Sequence, residues 1–240
     1  MKFFYLCIFV FPFFISCSDN IDMQSQSDAA YHKVDTVIDP IPVNKDNPYD
    51  TAGQTHHQLL TSYYDNISLP LTLTGIISSA ESIANENPSF VSMTNGVTFK
   101  FIYSDRVAAI VSDSGYLLDD TINNSLETIE AKNSLKSFIN SLLAKCEYED
   151  DYAVLHNYIV AYEYSVVNQA NFTQKDKQVI LTTSSIARHS VYARKKKPKR
   201  NTDPDWPLLI GNISGAIDGA DDRMEDAVMM ALITGIVDNK

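Results

Sequence analysis

The chain has 240 residues, 45% of them hydrophobic, and a formal net charge of −11. That is length enough for one domain with a sizeable core. An acidic balance of this size excludes a general electrostatic affinity for nucleic acid.

From Met1 to Ser16 the sole charge is Lys2, and the run FFYLCIFVFPFFI is long enough for a signal-peptide core but short of the ~20 apolar residues of a spanning helix. At its end, Phe14, Ile15, Ser16 and Cys17 resemble the lipobox of bacterial lipoproteins, in which a small residue precedes an invariant cysteine that is diacylated, freed by cleavage and usually acylated again. Phe14 stands where that family usually has Leu. The resemblance implies a signal peptide over 1–16, a mature chain starting at lipidated Cys17, and export to the outer membrane or cell surface. The membrane is then a partner through the N-terminal lipid. Cys7 leaves with the leader and Cys17 becomes a thioether, so Cys146 has no disulfide partner and packing must hold the fold.

Residues 17–48 are rich in Asp, Ser and Asn and contain DPIPV, which blocks both helix and sheet. They read as a flexible acidic tether whose r.m.s. reach is roughly 30 Å. A single helical domain is expected over 49–240. Asp50 or Thr51 can cap a first helix over 51–65, with Leu59, Leu60, Tyr63 and Tyr64 on neighbouring turns. A second follows Pro70 through Leu71, Leu73, Ile76, Ile77 and Ile83 and stops at ENPS. GVTFKFIYS, 96–104, alternates like a strand and needs either a partner in SFVSM, making a short β-hairpin near 89–104, or a helical conformation despite its pattern.

From Asn123 one long helix is predicted to end near Cys146, and a second runs from Tyr152 to Val166 behind Glu149, Asp150 and Asp151. Thr173 with Asp176 opens a third that passes through Val191. Finally, Gly211, Gly215 and Gly219 fall four apart along one edge of a C-terminal helix over 206–237, where another helix can approach closely. The fold class is therefore mostly all-α, an antiparallel bundle of about five to seven helices.

Chemistry-bearing motifs are sparse. Arg194, Lys195, Lys196, Lys197, Lys199 and Arg200 could touch an anionic surface at about 1 kcal/mol each, or simply close a helix whose C-terminal dipole favours cations. Asp218, Asp221, Asp222, Glu225 and Asp226 miss the spacing of a calcium loop and read as the wet face of a helix, paired with that basic stretch. His56 and His57 point about 100° apart on a helix and cannot share one ion, so no metal is expected. A dyad of Cys146 with His156 would require tertiary juxtaposition. No cofactor motif is present.

The pattern N-P-Y-D-x-x-G-x-x-H-x-x-L, Asn47 to Leu59, is similar to the domain start of uncharacterised exported proteins of Bacteroidota, some of which also end in a glycine-rich apolar tail. The resemblance implies a coherent domain and no activity. The sequence thus points to a lipid-anchored, exported helical protein acting as a binding or protective module at the cell envelope, with a protein partner left unidentified. A secreted antagonist with a membrane-active or oligomerising glycine-zipper tail is the alternative. A hydrolase-like enzyme using His56 and His57, or Cys146 and His156, comes third.

Overall fold

The computed structural model describes residues 41–65, 70–112, 117–196 and 205–240. The expected leader, Cys17, the expected tether up to residue 40, and Lys197, Lys199 and Arg200 lie outside the described residues, as do the side chains of Lys195 and Lys196. Among the described residues there are ten helices and no strand. They are α1 (Asp50–Tyr64), α2 (Leu73–Glu86), α3 (Pro88–Met93), α4 (Ser104–Ser112), α5 (Leu117–Ser125), α6 (Ile129–Tyr148), α7 (Tyr152–Val167), α8 (Gln174–Lys196), α9 (Asp205–Ala220) and α10 (Met224–Asp238). The bundle is all-α, with more and shorter helices than the sequence periodicity suggested.

Helices α8 and α10 occupy the centre. Every residue from Val179 to Val191 and from Asp226 to Ile236 is buried, and a helix that is covered all round belongs to the middle of a domain. Around them pack α1, α2, α4 and α9, while α6 and α7 form a hairpin in which Phe138 stacks on Tyr162 with ring centroids 4.0 Å apart.

The C-terminal segment is two helices, where one was expected over 206–237. Asp222 and Arg223 both return their backbone N–H to the Gly219 carbonyl, and the chain reverses there into α10. The glycine edge explains the reversal. A Cβ on Gly211 would lie 2.8 Å from the Cα of Gly235, one on Gly215 would lie 2.5 Å from the Met230 carbonyl oxygen, and one on Gly219 would lie 2.5 Å from that of Asp226. Side-chain-free positions four apart therefore let the α9 and α10 backbones touch as an antiparallel pair.

The helix expected from Asn123 to Cys146 is likewise broken, into α5 and α6. Asp176 holds the break: its Oδ1 accepts from the Glu127 N–H at 2.8 Å and its Oδ2 from the Thr128 hydroxyl at 2.8 Å. Thr128 then caps α6 by accepting from Ala131 N–H. The same Asp176 exchanges bonds with Thr173 in a capping box that starts α8, so one carboxylate fixes two helix starts. Burial favours its neutral form, but these donors outweigh burial and pull its pKa below the ordinary carboxylate value.

The alternating segment 97–103 is neither hairpin nor helix. It has no regular secondary structure, with Phe99 and Phe101 buried, and SFVSM belongs to α3. Side chains of α2 replace the missing neighbouring strand: Asn85 accepts from Phe99 N–H at 2.8 Å and donates to its carbonyl at 3.0 Å, and Glu81 accepts from Phe101 N–H at 2.7 Å.

Candidate functional site

The residues of the N-terminal motif fall three apart, at Asn47, Asp50, Gly53, His56 and Leu59, and they dock the start of the domain onto the bundle. Asn47 donates through one amide nitrogen to Glu163 Oε1 and to the Leu181 carbonyl, both at 2.9 Å. Asn44 donates to Glu163 Oε2 at 2.7 Å and Ser184 to Oε1 at 3.0 Å. Arg188 pairs with the same carboxylate at 3.2 Å, with Asp50 and with the Pro42 carbonyl. Asp50 is thus not the cap expected of it; it lies inside α1 and serves as an ion-pair partner.

Glu163 and Arg188 are both fully buried. Burial pushes the Glu163 carboxyl above its ordinary value and is the largest influence on it, opposed by the Arg188 charge and the amide donors. Two desolvated charges with these partners form a tight but energetically expensive arrangement, one that tolerates the loss of neither member. It is a clamp, closed over by residues 42–50, and it offers no opening for a ligand.

Next to the clamp lies a cavity of about 450 Å³. Helix α1 supplies His57, Leu60, Thr61 and Tyr64, which fall on one helical face, with Asp65 just beyond its end. Helix α8 supplies Ser190, Tyr192, Ala193 and Arg194, and α9 supplies Leu208, Leu209 and Asn212. The lining is chiefly apolar with a few polar groups, the composition of a small-molecule site. The Arg194 guanidinium lies over the Trp206 ring at 5.1 Å and donates to the Cys146 carbonyl.

Behind this lining sit two fully buried imidazoles, His56 and His189. Their pKa values are pushed down to about 3, for His56 by burial and then by the neighbouring His57, for His189 by burial and then by the Arg188 charge. Both rings are therefore neutral at physiological pH, and neither ring nitrogen of either residue has a hydrogen-bond partner of normal geometry. Asn212 stands close enough to His56 to favour its charged form slightly. Its amide nitrogen donates to Ser190 at 3.1 Å, and its oxygen faces Gly235, where a Cβ would be only 1.9 Å away. Buried Asn212 thereby links α8 and α10 across α9.

The sequence-derived candidates distribute unevenly. His57 lines the cavity, its ring 6.2 Å from those of both His189 and Tyr192, while His56 lies in the wall behind it. His156 packs against the Tyr152 ring at 5.7 Å, and no hydrogen bond of normal geometry joins it to buried Cys146. Of the basic stretch, Arg194 reaches the cavity. The acidic residues of the tail do not pair with that stretch among the described residues: Asp218 and Asp222 hold Arg106, Asp221 holds Lys175, and Glu225 and Asp226 hold Arg223. Gly211, Gly215 and Gly219 are spent on packing α9 against α10.

Among the described residues no three His, Cys, Asp or Glu side chains converge on a metal position, and no helix is long and apolar enough to cross a membrane. Sequence reasoning missed the clamp, although a signal for it existed. Glu163 is the only charge on α7, and Arg188 is the only one on α8 between Lys177 and Arg194. Charged residues are almost never fully buried unless paired, so a charge isolated within an otherwise uncharged helical stretch is a candidate for a buried pair. No family model matches the chain, and neither a curated protein nor a solved structure matches it.

Proposed function

We propose that the chain is a binding module of the cell envelope, exported and held by lipid on Cys17, with its ligand in the cavity between α1, α8 and α9. The cavity carries this reading: about 450 Å³ with an apolar floor of Leu60, Leu208 and Leu209 and polar groups at His57, Ser190 and Asn212. The resemblance of Phe14, Ile15, Ser16 and Cys17 to a lipobox supports the anchor. A diacylated or triacylated cysteine holds a membrane where one chain alone would not, at ~0.8 kcal/mol per buried methylene.

The competing reading, a tail that leaves the bundle to insert or oligomerise, draws no support from the glycine edge, since its three positions are engaged with α10. A catalytic reading would require His57, which lines the cavity, to work with a neighbouring nucleophile or acid.

Fluorescence of the neutral probe N-phenyl-1-naphthylamine with the full mature chain tests the pocket. Saturable binding to the native protein, lost in Leu209→Trp with its melting temperature retained, is the expected outcome; equal binding to both proteins refutes the site. Intact mass of the membrane fraction tests the anchor: a chain starting at Cys17 with added acyl mass is expected, and an unmodified chain starting elsewhere contradicts it.

A further inference from the structure

The neutral polar groups that line the cavity are engaged with one another and with neighbouring helices. Asn212 donates to the Ser190 hydroxyl at 3.1 Å, and its oxygen is turned to Gly235 of α10. Thr61 donates to the His57 carbonyl at 2.9 Å, and the His57 ring lies 6.2 Å from those of His189 and Tyr192. The Tyr64 ring meets that of Tyr63 edge-on at 5.5 Å, and its hydroxyl accepts from Asn239 at 3.4 Å.

The two charges in the lining are committed elsewhere or wet. Arg194 donates to the Cys146 carbonyl and lies over the Trp206 ring, while Asp65 is exposed just beyond α1, where water screens its field. His56 and His189, in the wall, are neutral at physiological pH. What the cavity offers a ligand is contact with Leu60, Leu208 and Leu209, all of them buried. A charge carried in among these leucines would give up its water without gaining a partner, and an unpaired charge in a dry site is costly. The volume of about 450 Å³ lies at the small end of ligand cavities, roughly 300–1,000 Å³, which suits one compact molecule.

Resting on the pocket reading above, we infer that this site takes an uncharged, compact apolar molecule whose body lies on Leu60, Leu208 and Leu209, and that it rejects the acid and the amine of the same skeleton. The selection is a difference of affinities. All three compounds gain the same apolar contact, and the two ions alone lose hydration that the wall does not replace.

Competition against bound N-phenyl-1-naphthylamine on the full mature chain tests the assignment, with competitors that share one ring system. 1-Naphthylmethanol is expected to displace the probe, and 1-naphthoate and 1-naphthylmethylammonium to do so more weakly by about tenfold or more. The compact skeleton keeps each charge beside the apolar wall, so neither ion can leave its head in bulk water. Because the comparison is made between ligands on the native protein, it needs no altered chain. If the probe binds and either ion falls inside that margin, or the alcohol does not displace the probe, the uncharged assignment is wrong and the pocket stands. A competing naphthoate would make Arg194 a working counter-charge, and a competing ammonium would make Asp65 one. If the probe does not bind, or binds Leu209→Trp equally, the pocket reading itself fails.

Discussion

Gly53 of α1 lies so close to α8 that a Cβ on it would sit 2.3 Å from the Ser185 carbonyl oxygen, while its own N–H donates to the Ser185 hydroxyl at 3.1 Å. The contact is to backbone, which cannot swing aside. Gly53→Ala is therefore expected to destabilise the domain by about 1–3 kcal/mol, the range of an overpacked core. Exposed Gln54→Ala beside it should stay within ~0.5 kcal/mol. Urea denaturation of both variants checks the contrast, and equal midpoints would show that α1 does not dock as described.

The buried clamp makes a second expectation. Arg188→Met leaves Glu163 desolvated without its main counter-charge, and breaking such a pair costs about 3–5 kcal/mol. Glu163→Leu combined with Arg188→Met should recover part of that loss, because no uncompensated carboxylate remains at the centre. A double-mutant cycle by denaturation measures the coupling; additive effects would mean that the two groups do not act together.

How much of this was legible in the residues divides along physical lines. Helix type and the main boundaries could be read, because Leu, Ile and Tyr periodicity on α1, α2, α6 and α7 is a local property. The glycine spacing on α9 marked a close-approach edge, but its partner proved to be the next helix of the same chain. The break at 126–128 was hidden because Asp176, nearly fifty residues downstream, holds it. The irregular 97–103 segment was misjudged for a similar reason: its partners are the Asn85 and Glu81 side chains, which no strand-pairing rule anticipates. Of the candidate site, His57 and Arg194 were singled out, yet the cavity itself depends on how α1, α8 and α9 diverge.

Acid should weaken the fold through the buried imidazoles. Below pH 6.5, the ordinary histidine value, the unfolded chain gains a proton on His56 and His189, whereas the folded chain does so only near about 3. The stability these residues contribute is complete above 6.5 and is lost progressively as pH falls toward 3. Each adds up to about 1.4 kcal/mol per pH unit to the slope. Asp50 and Glu163, raised by burial, act in the opposite sense: they favour the folded state as pH falls toward their unfolded values. The histidine part is isolated by comparison, since the stability of His189→Gln should fall less steeply than that of the native protein between pH 6.5 and 5. Parallel curves would contradict a neutral buried ring.

Asn85→Ala removes both bonds that hold the Phe99 peptide, leaving two partly buried backbone groups unpaired at a cost of about 1–3 kcal/mol. Hydrogen exchange should quicken at the Phe99 amide while the Phe101 amide, held by Glu81, remains protected. Equal acceleration at both would mean that the segment is secured by its buried rings alone.

The claim on which the account turns is that the space between α1, α8 and α9 is a ligand site. Methyl NMR of the mature chain, titrated with N-phenyl-1-naphthylamine, reads it directly. Saturable shifts are expected at Leu60, Leu208 and Leu209, with exposed Leu71 unmoved. Shifts at Leu71 alone, or none at the three lining leucines, would contradict it.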